Sequence, residues 1–203
     1  MATQVPLPPS EPLVFNFGDT LRGMTDCQFH EFCRLNPQFR IERNSDGDLV
    51  IMPPTGGETG KANFDLIAAF GAWVKADGSG IGFDSSTGFT LPNRAKRSPD
   101  LAWVKRARWD GLTPEQREDF PPLCPDFVVE LRSKTDSLDT LKAKMQEYIA
   151  NGTQLGWLID PIQKMVHVYR AGAEAVTLDN PETLSGAPVL RGFVLHLAEI
   201  WGT

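Results

Sequence analysis

Two acidic residues stand in segments that are otherwise apolar, which is an unusual place for a carboxylate. Glu130 lies in the middle of Phe127–Leu131, and Asp100 immediately precedes the apolar run Leu101–Val104. Burying an unpaired carboxylate is costly, so such an acid is normally paired, protonated or bound to a metal. Two carboxylates on adjacent strands would form an oxygen-lined site suited to Mg²⁺ or Mn²⁺, and neither segment offers His or Cys for zinc. The sequence therefore predicts a divalent metal site held by Asp100 and Glu130.

An arginine on the same strand offers a second explanation for Glu130. Because side chains alternate along a strand, Asp126, Glu130 and Arg132 share one face. Arg132 is thus an alternative ion-pair partner for Glu130, and this purely structural interpretation stays open beside the metal site. Asp126 is about 13 Å from Glu130 at ~3.3 Å per residue, too far to share one ion, so we expect it to act at the start of the strand.

Positive charge is concentrated around Asp100. The chain carries a formal net charge of -6, which argues against a protein that coats nucleic acid through clustered Lys and Arg. Between residues 94 and 108, however, this one acid is accompanied by six cations: Arg94, Lys96, Arg97, Lys105, Arg106 and Arg108. The segment is either a solvated loop or a rim that contacts phosphate. The second interpretation makes four of them candidate nucleic-acid-binding residues: Arg94, Lys96, Arg97 and Arg106.

Residues 1–57 are predicted to form an N-terminal piece consisting of an arm, a helix and a hairpin. The first dozen residues are rich in proline and predict an extended arm. A capping box of Thr25 and Gln28 predicts the short helix that follows. Alternating apolar residues on both sides of an Asp46–Gly47 turn predict the hairpin.

The remaining residues, 58–203, are predicted to form one α/β core. A helix over about 61–75 has two apolar rows, one of them containing Leu66, Phe70 and Trp73. A helix that is apolar on two sides is usually buried between the core and another surface. This pattern predicts a second subunit and hence a homodimer. Strands are predicted over 81–91, 101–105, 127–133, 155–160 and 165–170, and a long helix capped by Thr135 or Asp136 precedes the fourth. This order predicts a mixed sheet flanked by helices.

Longer runs of the sequence resemble a known family. The Uma-two family of endonuclease-like proteins is similar over roughly residues 55–170, through SPDLAWV, PDFVVELRSKTDSLDTLKAKMQEYIANGTQLGWLIDP and VHVYR. Pro99–Asp100, a gap, and Glu130-Leu131-Arg132 also resemble the PD-(D/E)XK motif of restriction-endonuclease-like nucleases, with Arg where the motif has Lys. The resemblance implies a restriction-endonuclease-like core in which Asp100 and Glu130 hold Mg²⁺ or Mn²⁺.

The same resemblance implies where the missing lysine lies. In this family the lysine comes from the following helix in a K-xxx-Y-xxx-G arrangement, which Lys144, Tyr148 and Gly152 match. Helical spacing alone does not choose between Lys142 and Lys144, so the choice rests on the resemblance. Many nucleases of this fold also carry an acid near the first core helix, and Glu58 is the matching candidate. An acid favoured by the helix dipole explains Glu58 equally well.

The functional expectation is a metal-dependent endonuclease that hydrolyses DNA phosphodiester bonds, with five candidate catalytic residues: Asp100, Glu130, Lys144, Glu58 and Arg132. The alternative is a nuclease-fold module with weak or lost catalysis that binds nucleic acid or protein. Arg132 in the lysine position and the acidic net charge favour this alternative. No apolar run reaches the roughly 18 to 20 residues that span a bilayer, and no signal-peptide pattern is present, so we expect a cytoplasmic protein without membrane association.

Overall fold

The computed structural model describes residues 12–15 and 24–202. The helices are α1 (Asp26–Leu35), α2 (Gly57–Asp77), α3 (Arg106–Asp110), α4 (Pro114–Glu118), α5 (Leu138–Ala150) and α6 (Ala198–Trp201). The strands are β1 (Leu13–Phe15), β2 (Arg40–Arg43), β3 (Leu49–Met52), β4 (Gly80–Asp84), β5 (Phe89–Thr90), β6 (Lys96–Arg97), β7 (Leu101–Lys105), β8 (Phe127–Leu131), β9 (Leu155–Asp160), β10 (Met165–Arg170), β11 (Val176–Asp179), β12 (Thr183–Ser185) and β13 (Val194–His196). Most of the predicted proline-rich arm lies outside the described residues. In the part of the chain that is described, no helix has both the length and the apolar character needed to cross a bilayer.

A six-stranded sheet with the order β11-β10-β9-β8-β7-β4 forms the centre of the molecule. Strands β8 and β9 are parallel, and the helix α5 connects them. The other neighbours in the sheet are antiparallel. The sheet is therefore mixed, as the element order predicted.

Helices cover both faces of this sheet. The side chains of β8 alternate between the two faces and therefore contact different helices. Phe127 packs against Phe70 of α2 with ring centroids 5.7 Å apart. Val128 points the other way, into a buried cluster that contains Tyr148 of α5. Since Glu130 is two residues beyond Val128, its carboxylate also lies on the α5 face. This placement brings it within reach of side chains from α5.

A second sheet with the order β1-β3-β2-β6-β5 joins the N-terminal hairpin to the middle of the chain. Strands β2 and β3 form the predicted hairpin, and β2 also pairs with β6 through Arg43 and Lys96. The hairpin therefore shares a sheet with β5 and β6, which lie within residues 58–203, the predicted core. The predicted domain boundary between residues 57 and 58 thus falls between strands of one sheet.

Two element boundaries differ from the sequence prediction for local reasons. The predicted strand 81–91 is divided between β4 and β5, which belong to different sheets. A turn interrupts it, because the backbone N–H of Ser86 donates to Asp84 Oδ1 at 3.0 Å. The helix α5 is capped by Ser137, whose hydroxyl accepts from the N–H of Thr140, and not by Thr135 or Asp136.

The second apolar row of α2 is covered by the chain's own C-terminal segment. Phe70 packs edge-on against Phe193 at 5.1 Å, and Trp73 Nε1 donates to the carbonyl of Arg191 at 3.2 Å. Leu66 is fully buried in the same core. The observation that predicted a second subunit thus has an explanation within one chain.

Candidate active site

Asp100 and Glu130 face each other where β7 and β8 meet. Leu101 is paired with Val129 in the antiparallel register, so one further step places Asp100 opposite Glu130. Residues in opposing positions have Cβ atoms about 4.5–5.5 Å apart. The backbone N–H of Leu131 donates to Asp100 Oδ2 at 2.8 Å, which fixes the carboxylate at this end of the sheet. Both acids line one cavity of about 690 Å³.

The helix α5 supplies two groups to Glu130. Lys144 Nζ lies 2.9 Å from Glu130 Oε1, and the Tyr148 hydroxyl donates to the same oxygen at 3.1 Å. The two side chains are one turn apart and therefore share a face of the helix. A Cβ on Gly156 of β9 would lie only 2.4 Å from Met145 Cε, so the absence of a side chain there allows the close packing of α5. The helix presents Lys144, and not Lys142, to the carboxylates.

Sequence reasoning missed a third acid, Glu42 of β2. Its side chain is 2% exposed, and Lys144 Nζ lies 2.8 Å from its Oε1. Arg97 donates to Oε2 at 3.1 Å, and the N–H of Ser98 donates to Oε1 at 2.9 Å. The only sequence signal is an acid placed between Arg40 and Arg43 in a strand, which does not reveal partners so distant in the chain.

Cations and carboxylates alternate around the cavity. Arg40 donates to Asp100 Oδ1 at 3.1 Å and also to the carbonyl of Ser98. Arg97 joins Glu42 to Glu147, whose Oε2 is 2.6 Å from the Arg97 Nε. The lining contains six carboxylates, Asp46, Asp136, Asp100, Glu130, Glu42 and Glu147, and four cations, Arg40, Arg97, Lys134 and Lys144. The excess of two carboxylates favours the binding of an additional cation.

Burial and neighbouring charges give these groups different pKa values. Burial raises the pKa of Glu130 to about 7, with Lys144 acting against the rise and Asp100 adding to it. Burial also acts to raise the pKa of Glu42, but Lys144, Arg97 and Arg40 outweigh it and lower the pKa to about 2. Burial acts to lower the pKa of Lys144, yet Glu130 and Glu42 raise it overall. At neutral pH the lysine is therefore an ammonium ion.

The donor atoms suit a hard divalent cation. Within residues 12–15 and 24–202, no hydrogen bond reaches Glu130 Oε2. Asn63 of α2 lines the same cavity, and its Oδ1 is buried without a partner. Mg²⁺ is commonly held by one or two carboxylates with water completing the shell, and an amide oxygen is a suitable further ligand. Within the described residues, no group of three or more His, Cys, Asp and Glu side chains is arranged to hold a metal ion.

Three of the four predicted phosphate contacts are absent from the cavity lining. Lys96 is 2% exposed and is held by Asp26 at 2.9 Å and by Thr90 Oγ1 at 2.6 Å, so it is not accessible to phosphate. Arg106 follows the last residue of β7 and donates to the carbonyl of Gly78. The full length of β7 separates it from Asp100, about 20 Å at ~3.3 Å per residue. Of the four candidates, Arg97 lines the cavity, whereas the exposed Arg94 does not.

Arg132 and Glu58 also differ from their predicted places. Arg132 pairs with the fully buried Asp160 at 2.7 Å and not with Glu130. The parallel register explains this, because Leu131 pairs with Ile159 and the next residues of the two strands are neighbours. Glu58 is exposed in the first turn of α2 and is absent from the cavity lining, which Thr59 and Asn63 reach instead. Its position agrees with a favourable interaction with the helix dipole.

Comparisons with known proteins agree with this architecture. The model of the family Uma2 (Uma-two), described as "Putative restriction endonuclease", matches residues 27–198. Five chains of known structure match. One is described as a "putative nuclease belonging to DUF820" from Anabaena variabilis; it is 21% identical, with a TM-score of 0.66 over 79% of this chain and 89% of the other. That likeness shows a shared fold. No curated protein matches the sequence.

Proposed function

The chain belongs to the Uma2 family of restriction-endonuclease-like proteins, and on this basis we propose that it is a metal-dependent endonuclease that hydrolyses DNA phosphodiester bonds. One observation carries the proposal. The Lys144 ammonium is 2.9 Å from Glu130, which lies opposite Asp100 in the same cavity. The two acids supply oxygen ligands for a hard cation, and the lysine supplies a charged hydrogen-bond donor beside them.

The residues have separable roles in this proposal. Asp100 and Glu130 would hold Mg²⁺ or Mn²⁺, and the unpartnered oxygen of Asn63 would supply a further ligand or bind a water of the ion. The bound ion would polarise the phosphate and lower the pKa of the attacking water. Lys144 is kept protonated by Glu130 and Glu42, so it donates a hydrogen bond that orients the water or stabilises negative charge on the phosphate. It is not a general base.

The overall reaction adds one water across the ester. The water oxygen forms a new bond to phosphorus while the bond from phosphorus to the leaving sugar oxygen breaks. That oxygen gains a proton, which leaves one hydroxyl end and one phosphate end. Arg40 lies beside Asp100 and can neutralise a phosphate oxygen that enters the cavity.

The direct test is incubation of the purified protein with plasmid and with single-stranded circular DNA. We expect nicking or degradation with Mg²⁺ or Mn²⁺ and none with a chelator. Asp100→Asn and Glu130→Gln proteins should be inactive in the same assay. Equal cleavage by these variants would place the reaction elsewhere.

The ion pairs in the cavity favour the alternative of a nuclease-fold module without catalysis. Arg40 already contacts Asp100, and Lys144 contacts Glu130, so both acids have a cationic partner without metal. Such a module would bind DNA without cleaving it under any of the metal conditions. The plasmid assay combined with a binding measurement separates the two functions.

A further inference from the structure

The reacting groups lie at the bottom of the cavity and not on an open surface. The side chains of Glu130 and Lys144 are 4% and 10% exposed, and that of Asp100 is 17% exposed. A metal ligated by these carboxylates must be within ~2.0 to 2.6 Å of their oxygens. A phosphodiester that meets such an ion has to enter the cavity.

Two different segments line this space. The N-terminal hairpin with its edge strand β1 contributes an apolar wall of Val14, Val50, Met52, Pro53 and Pro54, and its turn adds the polar residues Asn44, Ser45 and Asp46. The segment 133–137 and the first turn and a half of α5 contribute mainly polar groups. Cationic and acidic side chains form the floor. The lining thus has a charged end for a phosphate and an apolar wall for the sugar and base next to it.

A double helix does not fit inside this space. A space of about 690 Å³ corresponds to a cube with an edge of about 9 Å. The major groove of B-DNA alone is about 12 Å wide, and the duplex is wider than its groove. Pockets of roughly 300 to 1,000 Å³ enclose ligands of drug size, which is the size range of one or two nucleotides. The cavity therefore accommodates a short segment of one strand.

From this geometry we infer that the substrate is DNA with unpaired nucleotides: a single strand, a flap or a strand everted from a duplex. The inference rests on the proposed function and specifies its substrate. The scissile phosphate would reach the floor while an adjacent nucleotide lies along the wall formed by β1 and β3. A fully paired duplex has to be unpaired and unstacked before it reaches the same position, which costs free energy.

Val14 permits a test that does not disturb the core. Its side chain is 62% exposed yet lines the cavity, and it pairs with Val50 across β1 and β3. Val14→Trp would fill part of the entrance. Leu13→Trp is the matched control, because Leu13 is adjacent, 44% exposed, and points to the other face of the strand, outside the lining.

The experiment uses one oligonucleotide in three forms: single-stranded, fully paired, and paired around a central unpaired loop. In single-turnover reactions with Mn²⁺ we expect the unpaired forms to be cleaved at least about tenfold faster, since each 1.4 kcal/mol of unpairing is worth a factor of ten. Fluorescence anisotropy with Ca²⁺ should show tighter binding of the single strand. Val14→Trp should weaken that binding, whereas Leu13→Trp should not.

The two measurements separate the possible failures. Cleavage of the paired duplex as fast as the single strand would overturn the inference and leave the proposed nuclease intact. Absence of all cleavage would remove the proposed function. In that case the anisotropy decides: selective binding of the single strand that is lost in Val14→Trp supports the assignment, and equal binding of duplex in all three proteins refutes it.

Discussion

Lys144 Nζ lies 2.8 Å from Oε1 of Glu42, a residue 102 positions earlier in the chain. The contact connects the helix α5 to the N-terminal hairpin through a buried ion pair. It also explains why the lysine stays charged although it is enclosed, since two carboxylates surround its ammonium.

Replacement of Lys144 should remove the chemistry. We expect Lys144→Met to lower the single-turnover cleavage rate by about 10² to 10³-fold, the usual cost of losing one group that stabilises transition-state charge. Mn²⁺ binding, measured by calorimetry, should persist because both carboxylates remain. Lys142→Met, two residues away on α5, is the control and should cleave at the normal rate. A fully active Lys144→Met protein would contradict the assignment.

Glu42 should contribute to stability in a manner that depends on pH. Its pKa is lowered from 4.5 to about 2, so its stabilising effect is complete above pH 4.5 and is lost as the pH falls towards 2. Glu42→Gln should therefore lower the free energy of unfolding by about 3 kcal/mol at pH 7. The difference from the unmodified protein should shrink markedly by pH 3. Urea unfolding at the two pH values measures it, with the exposed Glu31→Gln as control.

Glu130 should bind metal in competition with a proton. Its pKa is raised to about 7, so at pH 6 most of it is protonated and Mn²⁺ binding has to release that proton. Affinity should rise with pH and level off above pH 7. Calorimetry at pH 6 in two buffers of different ionisation enthalpy should detect the release in the unmodified protein and not in Glu130→Gln. Identical heats in both buffers would contradict the prediction.

The same raised pKa has the opposite effect on stability from that of Glu42. Between the unfolded value of 4.5 and the folded value of about 7, the native protein holds more protons than the unfolded chain. The contribution of Glu130 to stability in the absence of metal thus falls as pH rises through this range. A thermal unfolding series from pH 5 to pH 8 should show a smaller decline in Glu130→Gln.

Asn63 should take part in metal binding, although no motif pointed to it. Its Oδ1 is buried without a partner in the cavity. Asn63→Ala should weaken Mn²⁺ binding by about tenfold, the lower end of the effect of losing a group around a metal. Asn63→Asp adds a carboxylate at the same place and should strengthen it. Equal affinities in the three proteins would show that Asn63 has no contact with the ion.

Arg132 should matter for stability and not for catalysis, despite its place in the motif. It pairs with Asp160, which is fully buried, while backbone N–H groups of Ile162 and Gln163 hold the other oxygen. Arg132→Met should lower the free energy of unfolding by about 2 kcal/mol, since one charged hydrogen bond of a buried acid is lost. Single-turnover cleavage should be unchanged. A stable but inactive Arg132→Met protein would restore the conventional motif position.

The sequence alone predicted those strands and caps that depend on the residue pattern of a single segment. The observed bounds of β7, β9 and β10 coincide with the predicted ones, because each is an apolar strand with clear ends. The capping box of Thr25 and Gln28 is present at α1. The sequence also predicted that Asp100 and Glu130 belong to adjacent strands, which agrees with the pairing of β7 and β8.

Sequence reasoning failed where a residue acts through a distant partner. Glu42 and Asn63 look ordinary in their own segments, a polar residue in a strand and another on a helix. Only the pairing of β2 with β6 and the packing of α5 bring partners to Glu42. The charge run from Arg94 to Arg108 was misleading for the same reason, because a strand separates its members and Asp26 neutralises the buried Lys96.

Because the hairpin and β6 belong to one sheet, residues that are far apart in the chain line the same cavity. Glu42 leaves the ribosome about a hundred residues before Lys144, so no shorter nascent chain carries both members of the pair. A protease cut after the hairpin, if the pieces separated, would leave Lys144 and Arg97 without their shared carboxylate. Synthesis as far as Lys144 and docking of the hairpin are thus conditions for the proposed cleavage.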